Sequence, residues 1–204
     1  MQRNHVGVPW CRYADDGLLH CKTLQQAEVL LEKRRQRFNE CGLELHPDKT
    51  KIVYCKDGKR RGKYANKGFD FLGYTYRSRK CKNSKTKELF ESFTPGVSNT
   101  ALKSMRAMTK RLGIRNRTEL ELEEIAEWFN PILRGWLNYY GRYGRSAMYP
   151  MARHFNLTLV AWAMKKYRRL HNRKTKAGIF VERTARKQPE LFAHWQLGMF
   201  GAFA

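Results

Sequence analysis

The chain has 204 residues, of which 42% are hydrophobic and 13% aromatic, so it can bury a core and is not a disordered basic tail. Its 41 Lys and Arg against 18 Asp and Glu give a net charge of +23, and both halves of the chain share the excess. This balance favours a polyanionic partner, most commonly nucleic acid, with a ribosomal-type or merely basic soluble protein as the alternative.

The cysteine pattern and the hydropathy exclude several classes of protein. There are five cysteines and no C-x-x-C pair, which favours free thiols over a disulfide framework or a zinc site. No stretch approaches the ~20 apolar residues of a membrane span, and no apolar run follows the basic N-terminal residues as in a secretion signal. We therefore predict no membrane partner and a reducing location, most simply the cytoplasm.

The first element along the chain is CRYADDGLLH, residues 11–20, in which Asp15 adjoins Asp16 between apolar neighbours. Adjacent residues of a strand point to opposite faces, so the two carboxylates share a site only if the backbone turns sharply. Gly17 would permit that turn, which predicts a tight β-hairpin. Two carboxylates there are either a solvated turn or ligands for a hard cation such as Mg²⁺.

A helix is predicted from Thr23 to Gly42, because Thr23 and Gln26 have capping-box spacing and Gly42 can end it. Its apolar face is expected to contain Leu24, Ala27, Leu30, Leu31 and Phe38. Residues 43–55, LELHPDKTKIVYC, predict a strand, a turn and a second strand. Residues 68–80, GFDFLGYTYRSRK, predict a β-ribbon of alternating aromatics, and the basic stretch 77–87 a solvated loop.

Three helices are predicted after Pro95 and Gly96. The first covers residues 99–112, and the third covers residues 150–170 and ends in basic residues. The second opens at Thr118, reaches residue 140 and kinks or restarts at Pro131, with Asn130 as a cap. The apolar residues of the last segment imply docking against the rest, with His194 packed among them. These helices and the last segment together predict a small helical bundle with a basic rim.

Several motifs in order resemble a known family. Tyr-Ala-Asp-Asp between apolar strands, followed by GLELHPDKTKI at residues 42–52 and FDFLGYTYR at 69–77, resembles three successive blocks of the reverse transcriptases encoded by group II introns. NPILRGW at 130–136 and LNYYGRYG at 137–144 look like the maturase-specific thumb domain of that family. The resemblance covers nearly the whole chain.

The resemblance implies an α+β fold, in which a partial right-hand polymerase palm is followed by an α-helical thumb bundle. The palm part would consist of a β-hairpin, a helix and a β-ribbon. The implied domains are the C-terminal part of the palm with the primer-grip ribbon over 1–97, the thumb or maturase-specific domain over 98–172, and a basic and apolar extension over 173–204.

The resemblance also implies roles for residues of the palm. Asp15 and Asp16 would be the catalytic metal ligands, holding Mg²⁺ or alternatively Mn²⁺ for two-metal nucleotidyl transfer. Tyr13 and Ala14 would lie beside the primer terminus and the incoming nucleotide. Lys49 would neutralise or protonate the departing pyrophosphate, with a surface lysine after a turn as the alternative.

Further roles are implied at the ribbon and in the thumb. Phe71, Leu72 and Gly73 would form the primer grip, the alternative being core aromatics and a bulge glycine. Contacts to RNA are implied for seven basic thumb residues, the alternative being a solvated helix face: Arg134, Arg142, Arg145, Lys165, Lys166, Arg168 and Arg169. The implied partners are structured intron RNA and an RNA template with its DNA primer.

Two-metal polymerisation needs a further palm carboxylate, which in this family lies upstream of Tyr-Ala-Asp-Asp together with the fingers. Asp48 and Asp57 fall in predicted turns and Asp70 in the ribbon, so none of them replaces it. The chain is expected to polymerise poorly alone, and two hypotheses stay open. Either it is the C-terminal piece of an RNA-directed DNA polymerase, whose separate fingers/palm fragment is supplied in trans or lost, or it is a non-catalytic RNA-binding maturase module that assists splicing.

Overall fold

The computed structural model describes residues 7–202 and shows a mixed α and β fold. Its strands are β1 (Trp10–Tyr13), β2 (Asp16–Leu19), β3 (Gly68–Phe71), β4 (Tyr74–Lys82) and β5 (Leu89–Val97). Its helices are α1 (Leu24–Glu40), α2 (Asn99–Arg111), α3 (Leu122–Tyr140), α4 (Tyr149–Lys166) and α5 (Lys174–Lys187). Within the described residues, the first of two compact units comprises 7–71 and 77–93 and the second comprises 72–76 and 94–202.

The strands form two small sheets. β1 and β2 pair antiparallel as a two-stranded hairpin, and β3, β4 and β5 form a three-stranded sheet in that order. The predicted ribbon of alternating aromatics over 68–80 is confirmed as β3 and most of β4. The predicted solvated loop over 77–87 is wrong in its first half, because β4 continues to Lys82 and the turn to β5 begins only at Asn83.

Helix α1 confirms its predicted signals. The Thr23 hydroxyl accepts a hydrogen bond from Gln26 N at 3.1 Å, and Gly42 follows the helix with a φ of 67°. Of the predicted apolar face, however, Leu30 alone is buried and Leu24 is exposed. The amphipathic spacing therefore predicted the position of the helix correctly, but fewer of its apolar side chains are buried than the spacing suggests.

The two strands predicted within residues 43–55 are wrong, since this part of the described chain contains neither helix nor strand. Its backbone makes isolated hydrogen bonds instead, such as Thr50 N to His46 O at 2.9 Å and Tyr54 N to Asn66 O at 2.9 Å. β-propensity reports which residues suit a pleated, half-buried surface, but a strand also needs a continuous ladder with a neighbour. Residues 43–55 have suitable side chains for a strand, but their backbone makes only isolated hydrogen bonds and no ladder.

Side chains hold this irregular segment to the sheet within the first unit. Glu91 of β5 accepts from Ser78 Oγ at 2.6 Å and forms an ion pair with Lys56 at 3.2 Å. The peptide N–H of Gly58 donates to Glu91 O at 3.0 Å. One acidic residue on the ribbon thus positions the loop by both its side chain and its backbone.

The helices of the second unit lie close to their predicted positions. Ser98 caps α2 by accepting from Ala101 N at 3.1 Å, and Gly113 ends the segment with a φ of 64°. The N-cap of helix α3 is Glu121, three residues after the predicted cap Thr118, because the capping box uses Glu121 and Glu124. Helix α4 ends at Lys166 and is followed by a short 3₁₀ turn, Arg168–Leu170, so the predicted limit at residue 170 included that turn.

The predicted restart at Pro131 is wrong, since α3 is continuous from Leu122 to Tyr140. Asn130 is buried and does not cap a new helix. Its side chain donates to Leu191 O at 2.8 Å and accepts from Ala193 N at 2.9 Å, both in the segment after α5. The polar side chain before the proline therefore fixes a distant part of the chain.

One core lies among α2, α3, α4, α5 and the segment that follows α5. At its centre the rings of Phe129 and Phe155 stack at 4.5 Å between centroids, and Phe192 meets Phe155 edge-on at 5.5 Å. The predicted docking of the last apolar segment is confirmed, because Phe192, Trp195 and Met199 are buried in this core.

A second buried amide on α4 fixes the same segment. Asn156 donates to Met199 O at 3.0 Å and to Gly201 O at 3.1 Å. Its carbonyl oxygen lies 2.7 Å from His194 Nε2 and accepts from Trp195 Nε1 at 3.0 Å. His194 is fully buried, as predicted for a packed histidine, and burial lowers its pKa to about 3.

Candidate functional site

The Asp pair lies at the tip of the β1–β2 hairpin. Tyr13 and Asp16 are paired across the two strands, which leaves Ala14 and Asp15 as a two-residue loop. Ala14 has a φ of 51°, and Arg12 Nε donates to Ala14 O at 2.6 Å across the loop. The predicted hairpin is confirmed, but Gly17 is not its turn residue: it pairs with Arg12 within the strands.

The carboxylates of Asp15 and Asp16 are exposed and unpaired. Within residues 7–202 neither carboxylate has a hydrogen bond or an ion pair, although the chain carries 41 Lys and Arg. Carboxylate oxygens are the donors that Mg²⁺ prefers. The two residues therefore suit a hard divalent cation, because their oxygens are the right donors and no other described group occupies them. Among the described residues, however, no cluster of three or more His, Cys, Asp or Glu could complete a metal site from protein ligands alone.

The other residues predicted to act beside the Asp pair, Tyr13, Ala14 and Lys49, are also exposed to solvent. Tyr13, opposite Asp16, has a relative exposure of 63%. Ala14, the first residue of the loop, is also exposed. Lys49 lies in the turn after Pro47, is exposed, and has no bond to either aspartate among the described residues.

The predicted primer-grip residues form the connection between β3 and β4. Phe71 ends β3, and Leu72 and Gly73 are a two-residue turn with φ values of 50° and 76°. This is the left-handed pair of conformations that matches the twist of hairpin strands. A Cβ on Gly73 would lie 2.8 Å from the Tyr140 hydroxyl oxygen, so the close approach that requires glycine here is made within the chain.

Helix α3 holds this turn within the second unit. Tyr139 donates from its hydroxyl to Leu72 O at 3.0 Å, and Ser98 N donates to Gly73 O at 2.9 Å. The Tyr74 hydroxyl donates in turn to Tyr139 O. Two hydrogen bonds therefore hold the turn itself, and a third joins the first residue of β4 to α3.

Four tyrosines cluster beside the turn. The Tyr74 ring lies 5.4 Å from that of Tyr139, 5.5 Å from that of Tyr140 and 5.6 Å from that of Tyr143. Burial raises the pKa of Tyr74, and the neighbouring phenols raise it further, so its hydroxyl stays protonated and donating at neutral pH. Tyr139 and Tyr143 are about half exposed and present ring surface to solvent.

Three of the predicted RNA-contacting arginines lie near these rings in sequence. Arg134 and Arg145 are exposed and have no partner among the residues that the structure describes. Arg142 lies 5.8 Å above the Tyr143 ring. We define the aromatic-basic surface as the exposed residues Arg134, Tyr139, Arg142, Tyr143 and Arg145, which lie within twelve residues of the chain and offer cations for phosphate and rings for bases.

The basic run that begins in the last turn of α4 divides into bonded and free cations. Lys165 donates to Asn116 Oδ1 at 2.7 Å, and Lys166 donates to Leu120 O at 2.7 Å and to Glu121 Oε1 at 2.6 Å. The Lys166 side chain is only 12% exposed, which sequence reasoning did not foresee. Arg168 is exposed, and Arg169 lies 5.9 Å from the Tyr167 ring.

Two family models match the chain. The model for the reverse transcriptase (RNA-dependent DNA polymerase) matches residues 1–76, and the model for the group II intron, maturase-specific domain matches residues 102–178. The chain belongs to the group II intron reverse transcriptases/maturases. No curated protein matches it.

The reverse-transcriptase match places the hairpin in a family that usually uses divalent metals, and it extends through Leu72, Gly73 and Tyr74. The maturase-specific match contains α3, α4 and all seven basic thumb residues that were predicted to contact RNA. In this group II intron reverse transcriptase/maturase, no helix of the described chain is both long and apolar enough to span a membrane.

Sequence reasoning missed one set of cations within the maturase-specific match. Lys103, Arg106 and Lys110 on α2 are exposed and recur at spacings of three and four residues, so they share one helix face. Helix α2 contains no acidic residue. The spacing of these three cations is visible in the sequence of α2, but only the apolar face of this helix entered the prediction.

Proposed function

We propose that the chain is the C-terminal part of a group II intron RNA-directed DNA polymerase/maturase. The first unit would contribute the Tyr-Ala-Asp-Asp part of the palm, and the second unit the thumb that binds intron RNA and the template with its primer. The observation that carries the proposal is the unpaired Asp15–Asp16 tip in a chain otherwise dominated by cations, within the reverse-transcriptase match.

Asp15 and Asp16 would hold Mg²⁺, or Mn²⁺ in its place. The metal, when bound, would supply Lewis-acid activation of the primer hydroxyl and charge stabilisation at the leaving oxygen. Tyr13 and the small Ala14 would border the primer terminus and the incoming sugar. Lys49 would neutralise or protonate the departing pyrophosphate from its exposed turn.

Phe71, Leu72 and Gly73 would act as the primer grip. The tyrosine cluster supports this role indirectly, because the bonds from Tyr139 and Ser98 hold the turn in one conformation. A fixed turn can position a strand more accurately than a mobile one. Gly73 would then serve the packing of Tyr140 as well as the approach of the primer.

A further carboxylate would come from outside these 204 residues. Within residues 7–202 no third His, Cys, Asp or Glu joins the Asp pair in a cluster. We propose that a fingers/palm fragment supplies it, and that the assembled protein works in the reducing cytoplasm. The five cysteines are free thiols, as such a compartment would keep them.

Primer extension on an RNA template with Mg²⁺ tests this role. We expect no or weak extension by the chain alone, and extension after addition of a fragment that bears fingers and the first palm aspartate. Asp15→Asn should then lower the rate at least about a hundredfold, because one metal ligand is lost. Glu28→Gln removes an exposed carboxylate of α1 in the same unit and should change the rate less than about twofold.

Two results would contradict the proposal. Full extension by the chain alone would show that no further carboxylate is needed. An Asp15→Asn protein that extends primers as fast as the Glu28→Gln control would show that the pair is not the metal site.

The second candidate is a non-catalytic RNA-binding module that assists splicing. It is favoured by the contrast between the incomplete Asp cluster and the well-packed second unit, which carries the aromatic-basic surface. In this case RNA affinity should survive Asp15→Asn. It should fall about tenfold or more when Arg134, Arg142 and Arg145 are changed to Gln together, since a phosphate without its arginine keeps its condensed counterions.

The salt dependence of RNA binding completes the test of the second candidate. The triple variant should show a shallower slope of log affinity against log salt than the unaltered chain, by about one unit for each phosphate-binding arginine replaced. Lys165→Gln and Lys166→Gln serve as comparisons, because their ammonium groups are bonded within the chain and should contribute less. If the slope of log affinity against log salt is unchanged in the triple variant, the RNA does not bind at the aromatic-basic surface.

A further inference from the structure

A groove of about 720 Å³ lies in the second unit, among α2, the first turns of α4 and residues 198–201. Pockets for small ligands commonly measure roughly 300–1,000 Å³. We name it the α2–α4 groove and define it by Arg106, Tyr149, Arg153, His154 and Phe200, which line it. None of these residues belongs to the Asp hairpin, the primer-grip turn or the aromatic-basic surface.

The groove is suited to an anion. Arg106 is exposed and has no hydrogen-bond or ion-pair partner among the described residues. Arg153 uses its Nε to donate to Ala202 O at 3.2 Å, which leaves the terminal nitrogens of its guanidinium for a ligand. No residue that lines the groove is acidic. The carboxylate of Glu182 reaches the same segment, but it accepts from Ala202 N at 3.2 Å.

The groove also has ring surface. Tyr149 is 51% exposed at the start of α4, and Phe200 is half-buried in the segment after α5. His154 adds a third ring, and its pKa is lowered by burial first and by the Arg106 charge second. It is therefore neutral near pH 7 and offers a hydrogen-bonding ring rather than a third charge. Cations beside aromatic rings are the combination that binds a phosphate together with an unstacked base.

We propose that the α2–α4 groove binds a single unstacked RNA nucleotide, with its base against Tyr149 and Phe200 and its phosphate between Arg106 and Arg153. This inference rests on the proposed function, because it takes the RNA bound by the maturase-specific region as the ligand. A base within a duplex is stacked on both faces and cannot enter such a groove, so the ligand is a bulged or looped nucleotide.

The experiment compares two fluorescent RNA hairpins that differ by one bulged uridine. Fluorescence anisotropy with the full chain should show tighter binding of the bulged hairpin. Tyr149→Ala should weaken that binding about tenfold, since stacking is lost, and should change binding of the unbulged hairpin less than twofold. Tyr149→Phe keeps the ring and should retain the preference for the bulge.

Charge is tested by a matched pair of variants. Arg106→Ala removes a cation from the groove and should reduce the preference for the bulged hairpin. Arg183→Ala removes an exposed cation of α5 outside the groove and should leave that preference unchanged. Circular dichroism of each variant checks that the helices are intact, which both exposed positions should allow.

A direct readout uses a 4-thiouridine at the bulge. Photocrosslinking followed by mass spectrometry should give adducts on Tyr149, His154 or Phe200. Adducts confined to other parts of the chain would overturn the inference, as would equal affinities for the two hairpins that Tyr149→Ala does not alter.

The same measurements separate this inference from the proposed function. Binding of the unbulged hairpin reports on RNA recognition in general. If neither hairpin binds, the proposed RNA-binding function fails and the groove fails with it. If both bind equally well in every groove variant, the proposed function stands and only the groove is overturned.

Discussion

The two units differ sharply in how they are stabilised. Leu30 is the one buried residue among those described in the first unit, whereas the second unit buries a continuous core from α2 to the segment after α5. The first unit is ordered by local devices: a hairpin, a capped helix and the bonds of Glu91. An isolated two-stranded hairpin is marginally stable in water. The metal-site candidate thus lies in the less stabilised unit.

The largest expected effect comes from breaking the core of the second unit. Phe155→Ala removes a ring that packs on Phe129, Phe192 and His194, and we expect it to lower the free energy of unfolding by about 3–5 kcal/mol. Leu30→Ala in the first unit should cost clearly less, because few buried groups surround it. Urea unfolding followed by tryptophan fluorescence measures both, and equal losses would contradict the contrast.

The next effect concerns the buried amide of α4. Asn156→Ala leaves Met199 O, Gly201 O and Trp195 Nε1 without their partner, and we expect a loss of about 2–4 kcal/mol. Hydrogen exchange should show residues 192–202 exchanging faster than the rest of the unit. Protection that is unchanged there would mean that the amide is not what holds the segment.

A smaller difference in stability is expected between alanine substitutions at two glycines, Gly73 in the β3–β4 turn and Gly17 in the β1–β2 hairpin. Gly73→Ala places a methyl group 2.8 Å from the Tyr140 hydroxyl oxygen at a φ of 76°, and should cost about 1–3 kcal/mol. Gly17→Ala should cost under about 0.5 kcal/mol, because its backbone is ordinary and the nearest neighbour, Cys11 O, lies 3.9 Å from the added Cβ. Thermal unfolding compares them, and a reversed order would contradict the assignment of the turns.

The smallest effect is a pH dependence of the second unit. His194 has a pKa of about 3 when folded, because burial disfavours its charged form, against about 6.5 when unfolded. Protons therefore bind the unfolded state first, so stability is lost as pH falls below about 6.5. We expect about 1 kcal/mol of loss between pH 7 and pH 5.5.

The control for this pH dependence is His194→Gln, which keeps a donor for Asn156 but does not titrate. It should flatten the curve in part, since His154, whose pKa is also lowered by burial, continues to contribute in the same direction. A variant curve that matches that of the unaltered chain would show that His194 is accessible to protons in the folded state.

The helices could be predicted from the sequence because their signals are local. The caps Thr23 and Ser98, the stop at Gly113 and the regular apolar face of α3 all lie within a few residues of the elements they define. The strands of residues 43–55 could not be judged in this way, since a ladder depends on a neighbour distant in sequence. The Asp hairpin was located by its motif, but its turn residue was misassigned to Gly17.

Polar residues inside helices were the least predictable. Asn130 suggests a cap when read with the following proline, yet its partners lie 61 and 63 residues away. Lys166 suggests a free cation, but it is bonded to Leu120 and Glu121, which lie 46 and 45 residues earlier in the chain. In both cases the partner of the side chain is distant in sequence, so the packing of the whole unit decides which bond forms. A polar residue on the apolar face of a helix is the signal that could have identified Asn130 and Asn156.

The anchoring of the final segment by these two asparagines has a consequence for synthesis on the ribosome. Phe192, His194 and Trp195 complete the centre of the second unit, yet they are translated after all five helices described. Chains generally fold from the N-terminus as they emerge, in whole units. The helices from α2 to α5 therefore keep part of their inner faces uncovered until residues 192–195 have been translated, and exposed apolar surface in this interval favours aggregation.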